Sequence, residues 1–132
     1  MDISQRATGL QSSLIRKIAE EGMKLDDVIP LWFGEGCWPT SDIAVKAATD
    51  ALAAGDHFYQ PNNGATELRQ EIRHYLSSLY NYQASLSQIT VTASGMQGLA
   101  LTAQAIASPG DEVVCIGPVW PNLAETFKIS GA

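Results

Sequence analysis

The sequence has little that would tie it to a metal, a nucleic acid or a membrane. Its two cysteines, Cys37 and Cys115, stand far apart and form no CxxC or other ligand spacing. No structural metal site is expected from them, and two free thiols fit a reducing, cytoplasmic setting. Lys and Arg number 8 against 14 Asp and Glu, so the net charge is −6, and no basic run offsets it locally. Such a surface would repel a phosphate backbone, and nucleic-acid binding is not expected. No apolar run approaches the roughly 20 residues of a membrane span. The chain shows no signal-peptide pattern, no internal repeat and no low-complexity tract.

What is present is the material of one modest domain. The chain has 132 residues, 45% of them hydrophobic and 17% charged, a balance that supports a packed core rather than disorder. Its first ten residues carry no strong pattern and read as an arm. Leu14, Ile15, Ile18 and Met23 give a loose apolar stripe to a helix over Gln11 to Lys24. Val28 to Phe33 is short and apolar, and the turn-like GEGCWPT follows it. Thr40 or Ser41 can cap a helix with Ile43, Ala44, Ala47, Ala51 and Leu52 on one face and Gly55 at its end. Pro61, Asn62, Asn63 and Gly64 then mark a turn. From Thr66 to Tyr80, Leu68, Ile72, Tyr75, Leu76 and Leu79 keep the spacing of one buried helical stripe.

Downstream the pattern changes. Ile89 to Ala93 alternates as a strand does, and EVVCI, from Glu112 to Ile116, reads as a parallel strand covered on both faces. Between them Met96 to Ala107 is apolar nearly all round, which predicts a helix buried on more than one side and stopped by Ser108-Pro109-Gly110. Strand, helix and strand in this order predict an α/β fold with a right-handed crossover. Pro121 suits the first position of a last helix, which runs to Ser130 and is capped by Gly131.

Two turns stand out as candidate sites. A helix opening at Ser94-Gly95-Met96 points unpaired N–H groups outward, and these, with the helix dipole, attract an anion such as phosphate. Gly95 lets a phosphate come close to the backbone, and the Ser94 hydroxyl adds a donor. The plainer reading is that Ser-Gly only caps a helix. The second turn carries Trp120 after the next predicted strand. In an open parallel sheet both turns would lie at the carboxyl edge, where ligands collect. There Trp120 either packs on its own helix or stacks on a flat ring, worth about 0.5–1.5 kcal/mol beyond area burial. A flat ring bearing a phosphate is a nucleotide or pyridoxal phosphate.

Five stretches in order, LWFGEG, FYQPNNGATELRQEI, ITVTASGMQGL, SPGDEVVCIGPVWPN and SGA, resemble the amino-terminal third of class I/II aminotransferases, pyridoxal-phosphate enzymes of fold type I. The resemblance implies the start of an αβα sandwich with an incomplete sheet. Residues 1–38 would form the arm, helix and substrate-side loop, and residues 39–132 the start of the cofactor-binding large domain. By position Ser94, Gly95 and Met96 match the phosphate-cradling turn, and Trp120 matches the aromatic that stacks on the pyridine ring. Tyr59 matches the tyrosine that reaches the phosphate of the neighbouring subunit, which implies a homodimer. Gly34 matches the glycine beside the substrate carboxylate. The chain departs from the family at Gly36, where a proline is common, and at Met96, where Thr, Ser or Lys often adds a side-chain contact.

The resemblance also says what to expect beyond Ala132. The lysine that forms the Schiff base, the aspartate that pairs with the pyridine nitrogen and the arginine that grips the substrate carboxylate all have no match here, so no catalytic residue is assigned. The implied function is a fragment of an enzyme moving an amino group between an amino acid and a 2-oxo acid. A related amino-acid lyase, a non-catalytic remnant and a regulator with an aminotransferase-like domain are the alternatives. For the regulator, the residues ahead of Ile29 offer only scattered Arg6, Arg16, Lys17 and Lys24. With two core strands and open edges, the chain alone is expected to be marginally stable.

Overall fold

The computed structural model describes residues 2–132. Among them the regular structure is entirely helical: α1 (Gln5–Thr8), α2 (Leu14–Gly22), α3 (Asp42–Ala53), α4 (Thr66–Tyr80), a 3₁₀ turn (Leu86–Gln88), α5 (Gly95–Ile106) and α6 (Pro121–Ser130). Local chemistry explains most of the boundaries. Ser4 and Ser13 cap α1 and α2 by accepting the N–H of Ala7 and Arg16. Ser41 precedes α3 as expected but makes no side-chain cap bond; Asp42 in the first turn meets the positive end of the dipole instead. α4 spans the predicted residues, and Asn81 closes it in the left-handed region at φ 51°. Pro121 opens α6, and Gly131 ends it at φ 102°. The 3₁₀ turn, which periodicity did not announce, is held by a Ser85–Gln88 capping box.

The structure departs from the expected sheet. Neither Ile89–Ala93 nor Glu112–Ile116 forms a strand among the described residues. A strand exists only as half of a ladder, with a neighbour about 4.8 Å away taking its backbone groups. No other segment of residues 2–132 supplies that ladder. The apolar run is correspondingly bare, with Val114 89% and Ile116 88% exposed. The expected stripe of α4 is also only partly covered, since Leu68, Tyr75 and Leu79 are exposed. In α5 only Ala103 is buried, so the all-round apolar helix lacks the cover that its composition asks for.

The core is correspondingly small. Among the described residues the buried apolar positions are Ala19 and Ala103, with the polar Thr126, in one part of the chain, and Ala84 and Ile89 in another. The accessible surface is 11,223 Å² for a mass of 14.1 kDa. A compact monomer of that mass exposes about 6,700 Å². The chain thus exposes far more area than a compact monomer of its mass.

Two compact units are distinguishable. The first runs through Gly36 and resumes over Ser94–Ala132; the second is Cys37–Ala93. Within the first, α5 and α6 pack together and α1 lies on α6. Arg6 Nη1 donates to the Ile129 carbonyl at 3.3 Å, and the Gln11 N–H donates to the Glu125 carboxylate at 3.2 Å. The Trp32 ring lies against Gly22, where any side chain would collide with it. The Arg16 guanidinium sits 5.0 Å above the Phe33 ring. Within the second unit, α4 meets the 3₁₀ turn. There Arg69 Nε donates to the Ile89 carbonyl at 2.9 Å, and Arg69 Nη2 donates to the Leu86 carbonyl.

Candidate active site

Ser94 is the N-cap of α5. Its backbone is extended (φ −159°, ψ 160°), and its hydroxyl accepts the Gln97 N–H at 3.1 Å. That geometry places Gly95 and Met96 in the first helical turn, where backbone N–H groups lie outside the helix's own hydrogen-bond ladder. The turn contains no acidic residue, so the positive end of the dipole is not neutralised. An ideal Cβ at Gly95 would meet nothing within 4 Å, so the space beside its Cα is open. Met96 is half-buried. Capping and anion binding are therefore compatible in one residue: a Ser hydroxyl both accepts and donates. The donor set, the bare Cα and a first turn without acidic residues fit a phosphate group.

Trp120 is the N-cap of α6 and makes no side-chain cap bond. It is 48% exposed, so part of its ring remains available to a ligand. The Gly117–Pro118 peptide leading into this turn is cis. Ser94 and Trp120 thus occupy equivalent places, each opening one of two helices that pack on each other within a single unit.

Gly34 belongs to the same unit, with nothing within 4 Å of its ideal Cβ. The two residues ahead of it are those pinned to α2, Trp32 against Gly22 and Phe33 beneath Arg16. Tyr59 lies in the second unit and is fully exposed, beside a His57–Phe58 stack with centroids 4.7 Å apart. Three of the four lysines are held in ion pairs, Lys24 with Glu21 just past the end of α2, Lys46 with Asp50 on α3 and Lys128 with Glu125 on α6. Arg69 and Asn63, which organise the chain ahead of Ser94, carry no local sequence signal, because their partners are backbone carbonyls and amides that any residue supplies.

With this geometry in place, comparison with known proteins is specific. Residues 26–132 match the family described as aminotransferase class I and II. The chain is 32% identical over 130 residues to the aspartate aminotransferase of Pyrococcus horikoshii, covering 98% of this chain and 33% of that protein. It is 32% identical over 132 residues to a probable N-acetyl-LL-diaminopimelate aminotransferase of Bacillus subtilis, with coverage of 98% and 33%. In structure it superposes on a Thermus thermophilus aspartate aminotransferase mutant complexed with tryptophan, with a TM-score of 0.92 and 27% identity, over 99% of this chain and 35% of that one. The Rhizobium meliloti aspartate aminotransferase gives a TM-score of 0.89 at 27% identity, over 99% and 34%. The chain therefore spans about a third of the length of the relatives it matches.

Proposed function

Because the chain belongs to the class I and II aminotransferase family, we propose that it is the amino-terminal part of a pyridoxal-phosphate-dependent enzyme that moves an amino group between an amino acid and a 2-oxo acid. The observation that carries this reading is the start of α5, where a capped helix terminus, a bare Gly95 and no acidic neighbour suit a phosphate. Bound pyridoxal phosphate supplies an electron sink for the carbanion formed at the substrate. Ser94, Gly95 and the Met96 amide would hold its phosphate, and Trp120 would offer its ring a stacking face. Gly34 leaves room for the substrate carboxylate. Tyr59 reaches the phosphate of a second subunit, so the working enzyme is a homodimer. Residues 1–38 form the arm and substrate-side loop, and residues 39–132 begin the large domain. There Ile89–Ala93 and Glu112–Ile116 become strands once neighbouring strands supply their ladders.

No lysine of this chain is suited to anchor the cofactor covalently: Lys17 is exposed on α2, and Lys24, Lys46 and Lys128 are held in ion pairs rather than in a dry pocket of the kind that lowers an amine's pKa. The 132-residue chain accordingly binds the cofactor weakly and reversibly and has no transaminase activity. The test is a titration with pyridoxal phosphate, with inorganic phosphate as competitor. The expected result is saturable binding that phosphate displaces and that Gly95→Asp weakens by about tenfold or more. Binding indifferent to both phosphate and Gly95→Asp, or no binding at all, would overturn the assignment of the cradle.

A further inference from the structure

The arm ahead of α2 runs antiparallel to α6 and meets it near both ends. Arg6 Nη1 donates to the Ile129 carbonyl in the last turn of α6 at 3.3 Å, long for such a bond. The Gln11 N–H donates to Glu125 Oε2 at 3.2 Å, and residues 11–15 share a cavity of about 160 Å³ with Pro121 and Asn122 of the first turn. Little packing supports these two ties. α1 buries no residue. A hollow of about 480 Å³ lies between Ser4, Arg6, Ala7 and Leu10 of the arm and Gln104 of α5 and Ile129 of α6. Atoms that line a void lose their dispersion partners, so the polar ties decide whether the arm stays down.

We infer that residues 4–13 are an acid-releasable strap on α6, latched where Glu125 accepts the Gln11 N–H. Glu125 Oε1 takes Lys128 at 2.5 Å and Oε2 takes Gln11, so one carboxylate, only 18% exposed, serves helix and strap together. An ionised acceptor makes the stronger bond. The carboxyl lies below the ordinary glutamate value, through the Lys128 bond first and the Gln11 N–H next. Lys128 stays with Glu125 when the strap lifts, whereas Gln11 does not, so the strapped form has the lower pKa. The strap is therefore held fully above the released value and let go as pH falls through the strapped one. The other charged groups around α6 are differently placed. α5 carries none, Arg6 is on the Ile129 carbonyl, and Arg16 of α2 lies over Phe33. Asp111, which accepts the Ser108 N–H, and Glu112 share a cavity with Phe127 rather than with Glu125. His57 and His74 belong to the other unit. Release opens the hollow above Gln104 and Ile129 to water, and this holds whatever the cofactor site binds.

The experiment follows amide hydrogen exchange by residue in the 132-residue chain across the acid range, expressed as protection against the unprotected rate at each pH. A helix of four residues does not persist off its support. The Gln11 amide and those of Ala7, Thr8 and Gly9, which bond within the α1 turn, should therefore lose protection together and severalfold. The amide of Ala103, buried in α5, should keep its own. Glu125→Gln should make the protection of the arm independent of pH, which separates Glu125 from Asp2, the acid of the arm itself. Lys128→Met keeps the latch but removes the bond that lowers its pKa most, so the fall should move to higher pH. A step at Gln11 that leaves Ala7, Thr8 and Gly9 unchanged overturns the inference, because the tie would then break without releasing the strap. A step that persists in Glu125→Gln, or a midpoint that Lys128→Met does not move, overturns it as well. So does an equal loss at Ala103, which would mean that acid unfolds the unit as a whole.

Discussion

Two segments with equally strong strand patterns, Ile89–Ala93 and Glu112–Ile116, meet different fates. The first is fastened along its length by Arg69, Asn63 and Gly64, and Ile89 is buried. The second is the more hydrophobic, yet Val114 and Ile116 are almost fully exposed. Hydrophobicity marks what a segment needs to bury, whereas its neighbours decide whether it does. For the first segment the neighbours lie within Cys37–Ala93, so the ties are made at once. For the second they are not among the residues present.

The difference is most open to attack at Gly64. Replacing it with Ala adds a methyl group against Val91 and forces an L-residue to φ 96°. Overpacking and backbone strain together should destabilise the second unit by about 3 kcal/mol. Gly34→Ala, in open space, should change stability by less than about 0.5 kcal/mol. Urea denaturation of the two variants checks this, and similar midpoints would show that the Gly64–Val91 contact is not formed in solution.

A second prediction sharpens the contrast directly. Ile89→Ala should cost about 2 kcal/mol, because it empties one of the few buried sites, whereas Ile116→Ala should cost less than about 0.5 kcal/mol. A third uses the bare segment itself: Val114→Lys with Ile116→Lys should raise the soluble yield of the isolated chain several-fold at unchanged helix content by circular dichroism. Apolar edges without partners drive aggregation, and like charges prevent it. A fall in helix content would mean that these side chains are already packed.

These contrasts also show how much could be read in advance. The bounds of α4 and α6 follow from signals within a few residues of each end: the Pro61–Gly64 turn and the apolar stripe for one, Pro121 and Gly131 for the other. Ser94 and Trp120 were legible as special turns for the same reason, and both prove to be N-caps. α1 was not legible, because four residues hold no period and its support comes from a distant carbonyl, that of Ile129. The Arg69 clamp escaped notice for a related reason: nothing in ATELRQEI separates an arginine that grips two carbonyls from one that faces water. Sheet pairing was the least accessible, since a strand's partner is never written in its own sequence.

The smallest effect expected concerns how the two units respond to acid. The clamp on Ile89–Val91 uses main-chain carbonyls and an arginine, none of which changes charge when pH falls through the carboxylate range. The arm is tied differently, by the Gln11 N–H donating to Glu125 at 3.2 Å. Glu125 also pairs with Lys128 at 2.5 Å, and this bond, then the Gln11 N–H, holds its carboxyl below the ordinary glutamate value. A lowered folded pKa means that the carboxylate form is favoured by folding. The contribution is therefore fully present above the unfolded value and is lost as pH falls through the lowered, folded one. Acidification through that window should lower the protection of the Gln11 amide, measured against the unprotected exchange rate at the same pH, while Val91 stays protected. Glu125→Gln should keep a weaker bond from Gln11 and abolish the pH step. A step of equal size at Gln11 and Val91 would mean that acid opens both units together, and that the distinction between a titrating tie and a non-titrating one has no consequence in this chain.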